Sequence, residues 1–271
     1  MMIKDSTNQE LSVFEAIGYL GSGLKLALSP QCRMFVIIPI LINIVVLTTG
    51  GYFVFTSIKA LLSDYLNVLP EWLSFVSYIL WFILFCTVGF VFCYIFSTVA
   101  TIIASPFYGI LAEKAEGLVR GAPFAAMSDD GIAAIIKDIP RILKRELQKL
   151  GFYLPRVLVC LIITLIPVVN VVAPICWFLL AAWMMSVQYC DYPYDNHKIP
   201  FADMRHDLSM NRLCTFAFGA VIALAMTVPV LNLLIPPAAV CAGTKYYVEL
   251  RKRYTLDSAL RNPNNNPTLQ Q

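Results

Sequence analysis

The residues best suited to bind an oxyanion lie at the start of the first long apolar segment, in the sequence LSPQCR (28–33). Ser29 and Pro30 predict a helix start, with serine as the N-cap and proline at the first helical position. The free N–H groups of a helix N-terminus carry partial positive charge, and Arg33 adds a planar fork of donors. The segment is therefore a candidate oxyanion site, and an arginine that only sets membrane topology is the alternative.

A second group of charged residues follows Ser105-Pro106, which repeats the Ser-Pro start signal. Glu113 and Glu116 share a helix face, and Arg120 lies four residues beyond Glu116. One interpretation is an i,i+4 ion pair between Glu116 and Arg120 at the membrane edge. The other is a charged cluster at the mouth of a pore, since ionisable groups near a membrane are costly to keep. Both interpretations stay open from the sequence.

A third polar stretch, DYPYDNH, runs from Asp191 to His197, and His206 follows. The two histidines lack the spacing of a known metal motif, so the stretch predicts a structured cytoplasmic loop rather than a metalloenzyme site. An intramembrane enzyme built on Asp191 and His197 is a further hypothesis. The chain shows no nucleophile elbow, Walker loop or dinucleotide-binding turn, and its eight cysteines form no CxxC pair. We therefore predict no enzymatic activity, no metal and no cofactor.

The polar residues inside the apolar segments are neutral, and Asn43 is the first of them. Their neutrality argues against a proton relay of intramembrane carboxylates. Neutral donors, helix ends and boundary charges are left to line a path for an anion. The candidate pore or gate residues are accordingly Asn43, Glu113, Glu116 and Arg120.

Four long segments without charge require helices that lie in a bilayer. The chain is 59% hydrophobic and only 14% charged, whereas soluble domains carry about 25% charged residues. Each uncharged segment exceeds the ~18–20 residues that mark a spanning helix. The net charge of +3 is too small to argue for nucleic acid as a partner. An all-α integral membrane fold is predicted from residues 34–58, 72–112, 157–190 and 213–244.

The distribution of basic residues predicts the topology. Long transmembrane helices are expected at about 30–58 and 72–98, and the connection between them carries one basic residue, Lys59. Residues 113–156 carry eight, so this helical region is placed in the cytoplasm with the N-terminus. Within it, residues 131–150 resemble an amphipathic helix. We interpret its basic face as solvated, and an anion-collecting surface is the alternative.

The last two apolar segments begin and end near basic residues on the cytoplasmic side. Two full crossings need about 40 residues and a turn, which neither segment has. Each segment contains proline, asparagine and proline at the same spacing near its centre. Proline interrupts a helix and asparagine can turn the chain, so a break in the helix is expected there. We predict half-penetrating helical hairpins at 157–190 and 213–244, with one kinked spanning helix per segment as the alternative. The repeated residues are Pro167, Asn170 and Pro174, then Pro229, Asn232 and Pro236.

The two ends of the chain differ in character. Residues 10–28 have helical apolar spacing and modest apolarity, which predicts a helix lying in the membrane interface. The segment 255–271 is rich in Asn and poor in apolar residues, so a disordered tail is expected. The remaining residues, 1–254, are predicted to form a single membrane domain.

Three strings resemble the CysZ sulfate permease family of bacterial inner membranes. They are SPQCRMFVIIPILIN (29–43), SPFYGILAEKAE (105–116) and YCDYPYDNHKIPF (189–201), and they occur in the family's order. The resemblance covers roughly residues 15–253. It implies two long spanning helices and two half-penetrating hairpins, in agreement with the topology argued above. A membrane scaffold or assembly factor without transport activity is the alternative function.

The resemblance also implies activity, site and assembly. It implies sulfate uptake across the inner membrane for cysteine biosynthesis, through a channel or carrier in a multi-pass homo-oligomer that uses no cofactor. The family's sulfate site falls on Gln31, Cys32 and Arg33. A Gly-Leu-Arg-Arg-like stretch of the family is replaced here by residues 31–34, so Met34 stands where a second arginine is usual. The family's acidic–basic cluster falls on Glu113 and Arg120.

Overall fold

The computed structural model describes residues 12–66, 74–121, 131–228 and 234–261 of the 271-residue chain. These residues are almost entirely helical, which confirms the predicted all-α class. They form two compact units, Met1–Val36 with Tyr108–Gln271, and Ile37–Phe107. The helices are α1 (Val13–Ala27), α2 (Arg33–Leu66), α3 (Ser74–Arg120), α4 (Gly131–Leu165), α5 (Ala173–Asn196), α6 (Phe201–Met210), α7 (Arg212–Met226) and α8 (Ile235–Arg261).

Long apolar helices are present, as the uncharged segments predict. Within the described residues, three helical stretches are long and apolar enough to cross a membrane: Arg33–Ala60, Pro140–Leu165 and Val169–Asn196. A fourth candidate is the pair α6 and α7, which meet at a bend of 102°. These helices confirm an α-helical membrane protein, and the depth that each reaches stays a prediction.

The core of the larger unit is formed by α1, α5, α7 and α8 around Tyr246. The Tyr246 ring stacks on Phe218 with centroids 5.3 Å apart, and Tyr19 meets it edge-on at 5.9 Å. The Tyr246 hydroxyl is satisfied by Thr215 Oγ1 at 2.9 Å. Burial of a tyrosine requires such a partner for its hydroxyl. The helix predicted at 10–28 is therefore present as α1, and one of its faces packs on protein.

Small residues allow close approach between helices in this unit. A Cβ built on Gly219 of α7 would lie 1.8 Å from the Ala182 carbonyl oxygen of α5. On Gly23 of α1 it would lie 2.4 Å from the Ala238 carbonyl oxygen of α8. Only glycine fits at either position, so the backbones are in direct contact there, as is common between membrane helices.

Helices α4 and α5 lie antiparallel and form a helical hairpin. Trp177 Nε1 donates to Thr164 Oγ1 at 3.0 Å near the break, and Tyr153 Oη donates to the Met184 carbonyl at 3.1 Å further away. The predicted Pro-Asn-Pro interruption coincides with the break, where a 3-10 helix (Val169–Val172) precedes α5. The two helical stretches of this hairpin are 26 and 28 residues long, and each is long enough to cross a membrane. That the hairpin penetrates only part of the bilayer therefore stays a prediction. In the second repeat, Pro229 and Asn232 lie outside the described residues.

Both predicted Ser-Pro helix starts are wrong. Residues 28–32 form a turn, and α2 begins at Arg33. The cause is local, because the N–H groups of Cys32 and Arg33 both donate to the Ser29 carbonyl oxygen, at 3.0 and 2.9 Å. Pro106 lies inside α3, which continues through it to Arg120. A proline removes one hydrogen bond, and apolar membrane helices often tolerate that loss.

Three further boundaries differ from prediction. The loop expected at 191–197 is largely the end of α5, which continues through Pro193 to Asn196. The cytoplasmic region 113–156 is not a separate element, because α3 ends in it and α4 runs from it to Leu165. The tail expected to be disordered from 255 is helical to Arg261, and residues 262–271 lie outside the described part.

Candidate functional site

The turn between α1 and α2 carries the three predicted sulfate-binding residues. Gln31 and Arg33 are exposed, whereas the Cys32 side chain is fully buried. The backbone amides of Cys32 and Arg33 already donate within the turn, to the Ser29 carbonyl oxygen. The polar side chains that this tight turn exposes are therefore those of Gln31 and Arg33.

Cys32 connects this turn to α8. Its thiol is hydrogen-bonded to that of Cys241, which is also fully buried. This hydrogen bond is the main reason that the pKa of Cys32 falls from its ordinary value to about 7, against the opposing effect of burial. The same bond raises the pKa of Cys241. The thiol pair thus fixes the turn on α8, close to the point where Gly23 contacts Ala238.

The C-terminal part of α3 lies beside the same turn. Lys114 Nζ is 4.5 Å from the centroid of the Phe35 ring, in a cation–π contact at the start of α2. The positive charge of Lys114 also contributes, as the smallest of the identified causes, to lowering the pKa of Cys32. The structure therefore brings together two segments that the sequence separates by some eighty residues.

Glu116 connects α3 to the end of α5. Its Oε1 accepts from Arg120 Nε at 2.7 Å, and its Oε2 lies 2.8 Å from Nε2 of His197. Glu116 is buried, whereas Glu113 is exposed. The ring of His197 stacks on Tyr247 with centroids 5.4 Å apart. The i,i+4 interpretation of Glu116 and Arg120 is confirmed, and the carboxylate also binds a third residue.

The basic face of α4 pairs with the acidic end of α5. Asp191 accepts from Arg145 Nε at 2.7 Å and lies 3.2 Å from Lys149 Nζ. Asp195 lies 2.7 Å from Arg141 Nη1. Arg145 and Lys149 are 8% and 2% exposed, so the prediction of a solvated basic face is wrong for these two residues.

The comparisons with known proteins agree with one another. A family model described as "Sulfate transporter CysZ/Etoposide-induced protein 2.4" matches residues 19–237. The sulfate transporter CysZ of Salmonella typhimurium (strain LT2) is 45% identical over 92% of this chain and 96% of its own length. Its counterparts in Vibrio parahaemolyticus and Vibrio cholerae are each 42% identical, over 89% and 88% of this chain and over 96% and 95% of theirs. The chain belongs to the CysZ sulfate transporter family. The resemblance drawn from its three sequence strings is therefore confirmed.

Two of the three strings that carry the CysZ resemblance contain residues that meet in the structure. Glu116 ends the string of α3, and it contacts His197 in the string of α5. Asn196 Nδ2 also donates to the Gly109 carbonyl oxygen at 2.8 Å. The strings thus meet at a packed junction between α3 and α5. Of the remaining gate candidates, Asn43 lies on α2, and its side chain is outside the described part of the structure.

The α4–α5 ion pairs were missed by sequence reasoning, although a signal for them exists. Arg141, Arg145 and Lys149 are spaced four apart and share one helix face, and Asp191 and Asp195 have the same spacing. Two complementary charged faces beside a predicted hairpin would pair if the hairpin is antiparallel. The predicted loop at 191–197 concealed this match, because a loop has no helical face.

The enzyme hypothesis on Asp191 and His197 gains no support from the geometry. Asp191 is bound by Arg145 and Lys149, whereas His197 contacts Glu116. Each side chain thus belongs to a different network, and neither activates the other. The CysZ relatives are named as transporters, which also favours transport over catalysis.

Proposed function

We propose that this chain transports sulfate across the bacterial inner membrane into the cytoplasm, where the sulfate supplies cysteine biosynthesis. The observation that carries the proposal is membership of the CysZ family, with relatives 42–45% identical over most of the chain. The long apolar helices supply the membrane location that transport needs. The protein works as a homo-oligomeric channel without a cofactor.

Arg33 is the residue that binds the anion in this proposal. Its guanidinium is exposed at the start of α2 and offers several N–H donors to a tetrahedral oxyanion. Gln31, also exposed, adds a neutral amide donor. Cys32 has a different part, because its buried thiol faces Cys241. It holds the turn in place, and its amide reaches the anion only if the bond to Ser29 opens.

Lys114 supplies a second positive charge for the dianion. Met34 stands where the family commonly has a second arginine, so the turn by itself has one cation fewer than the resemblance implies. Support for Lys114 comes from its place over Phe35 and from its effect on the pKa of Cys32. Two cations beside one turn match the charge of sulfate.

The charged junction between α3 and α5 is the proposed gate. Glu116 holds Arg120 and His197 together, while the exposed Glu113 lies one helical turn earlier. A buried carboxylate beside an anion route repels the anion unless its charge is balanced by neighbouring cations. Release of Arg120 or His197 from the carboxylate would alter that balance. Asn43, on α2, stays a separate prediction as a neutral pore-lining residue.

Uptake of radiolabelled sulfate into proteoliposomes that contain only this protein tests the proposal. We expect uptake above that of empty liposomes, with and without a proton gradient if the protein is a channel. Uptake that requires the gradient would replace the channel with a coupled carrier. A scaffold or assembly factor would give no uptake, and that result would overturn the transport function.

Sulfate binding by purified variants tests the assignment of Arg33 and Lys114. Alanine at either position should weaken binding about tenfold, the value expected when a charged hydrogen bond is lost. The matched control is Lys252→Ala, which removes an exposed lysine on α8. Unchanged binding in Arg33→Ala would remove that residue from the site, whether or not uptake persists.

A further inference from the structure

A basic cavity of about 720 Å³ lies between α4 and α6. One carboxylate, Asp195, accompanies six cationic side chains in its wall. Arg141 pairs with Asp195 and Arg145 pairs with Asp191, so the excess of positive charge comes from the other four cations. The cations are Arg141, Lys144, Arg145, Arg156, Lys198 and Arg205.

Aromatic rings, rather than carboxylates, hold two of these cations in place. The Arg205 guanidinium lies 4.8 Å from the Phe152 ring centroid and 5.2 Å from that of Phe201. The Arg156 guanidinium lies 3.6 Å from the Phe152 centroid and donates to the Phe152 carbonyl within its own helix. Nε of Arg205 is buried and has no hydrogen-bond partner among the described residues. Cation–π contacts orient a charge without neutralising it, so both guanidinium groups remain able to bind an anion.

A second cavity of about 590 Å³ adjoins the first and differs from it in character. The two share Arg156 and Arg205 along one edge. Beyond that edge, α5 and α7 supply the apolar side chains of Leu179, Trp183 and Phe216. His206, Ser209 and Arg212 form a polar part of the same wall. The pair of cavities therefore has a cationic end and an end with an apolar side along α5, and two arginines lie where they meet.

The shared edge coincides with a change in the exposed surface of the α4–α5 hairpin. Beyond Arg156 on α4, the exposed residues include Leu158 and Ile162, and on α5 they include Ile175 and Leu179. Exposed apolar side chains on helices long enough to span indicate a lipid-facing surface. The cationic cavity thus opens where lipid headgroups meet acyl chains.

We propose that these adjoining cavities bind one anionic phospholipid. Its phosphate lies among the cations of the first cavity, and an acyl chain follows the apolar wall past Leu179 and Trp183. Basic pockets between membrane helices on the cytoplasmic side bind anionic headgroups by the same physics. Free sulfate could fill the cationic cavity, but it would leave the apolar wall uncovered. The proposal does not depend on the transport function.

Binding to the delipidated full-length protein in detergent tests the proposal, with dioctanoyl-phosphatidylglycerol as the probe. We expect it to bind more tightly than dioctanoyl-phosphatidylcholine, and more tightly than the dibutanoyl form of the same headgroup. Replacing Arg156 and Arg205 by Gln should weaken binding about fivefold for each charge removed. Lys252→Gln, an exposed lysine on α8, should leave the affinity unchanged.

Competition with sodium sulfate separates a lipid site from a free-oxyanion site. If sulfate at the same concentration displaces the probe, and chain length has no effect, the lipid assignment is overturned. Equal affinity for the zwitterionic and anionic lipids would overturn it as well. Arg205→Lys keeps the charge and the fold, so it should retain most of the binding. Loss of binding in both Arg205→Lys and the Gln variants, with unchanged elution volume, would contradict the electrostatic basis.

Discussion

Arg145 Nε lies 2.7 Å from Asp191 Oδ1, and both side chains are shielded from solvent in the α4–α5 hairpin. Lys149 Nζ adds a second cation at 3.2 Å from the other carboxylate oxygen. Lys149 also pairs with Glu146 on its own helix, so two carboxylates balance the two buried cations, and Asp191 is the one that joins α4 to α5. A buried charge is stable inside a protein only when its oppositely charged partner is also present, because an unpaired charge is costly to remove from water.

Removal of Asp191 is therefore expected to destabilise the fold. Asp191→Asn should lower the free energy of unfolding by roughly 3–5 kcal/mol, since the buried guanidinium of Arg145 loses its counter-charge. Denaturant unfolding of the detergent-solubilised protein measures the change. Asp203→Asn, on the exposed face of α6, is the control and should change little. Equal losses in the two variants would contradict the account of the buried pair.

The junction at Glu116 predicts a contrast between two glutamates on one helix. Glu116→Gln should lower stability by about 1 kcal/mol, a modest value because Arg120 and His197 are more than a third exposed and water screens the pairs. Glu113→Gln removes an exposed carboxylate one turn away and should be near neutral. Thermal unfolding of both variants tests this. If Glu113→Gln proves the more damaging, the structural assignment fails.

The Cys32–Cys241 pair predicts a pH-dependent contribution to stability. The pKa of Cys32 is lowered to about 7 in the folded protein, so its stabilisation is complete above the ordinary thiol pKa and is lost as the pH falls through 7. The raised pKa of Cys241 acts in the opposite direction at alkaline pH, where the unfolded chain would lose that proton. The stability of the wild type relative to Cys32→Ser should therefore rise from pH 6 to about pH 8.5.

Unfolding free energies at pH 6, 7, 8 and 8.5 measure this rise. Cys241→Ala removes the hydrogen-bond partner of Cys32 and should abolish most of the pH dependence. Cys86→Ala removes an exposed cysteine of the other unit, and its pH profile should run parallel to that of the wild type. A wild-type profile parallel to that of Cys32→Ser would refute the perturbed thiol.

Replacement by alanine is expected to have opposite effects on stability at two glycines, one in a close contact between α5 and α7 and one with open space beside it. Gly219→Ala places a methyl group against the Ala182 carbonyl and should cost about 1–3 kcal/mol, because the backbones must move apart. On α1, Gly21 has open space where a Cβ would lie. Gly21→Ala should be neutral or stabilise by up to about 1 kcal/mol through helix propensity. Melting temperatures of the two variants provide the comparison.

Part of this architecture follows from the sequence because it depends on local rules. Uncharged apolar runs longer than a bilayer-spanning helix can be placed only in lipid or in a very large core, so the all-α membrane class was predictable. The Glu116–Arg120 pair follows from the helical repeat alone. Three short strings were enough to indicate the CysZ family. In each case the deciding interaction lies within a few residues or in the composition of one segment.

The predicted helix starts and the predicted loop were wrong where contacts in the folded protein outweighed the preference of the local sequence. Ser-Pro predicted helix starts at Ser29 and Ser105, but hydrogen bonds to the Ser29 carbonyl formed a turn in one place and α3 continued through Pro106 in the other. The loop predicted at 191–197 is helical because Asp191 and Asp195 are held by α4. Their partners on α4, Arg141 and Arg145, lie far from them in the sequence.

The amino-acid sequence by itself determined the membrane class, the family and the helix-internal charge pairs, since each depends on neighbours within one segment. Only the tertiary structure decided that Cys32 faces Cys241, that Lys114 lies beside the turn of Arg33, and that Asp191 contacts Arg145 and Lys149. These pairings depend on the register and direction in which helices pack. That choice is made by burial and close backbone contact over the whole unit, so no single segment encodes it.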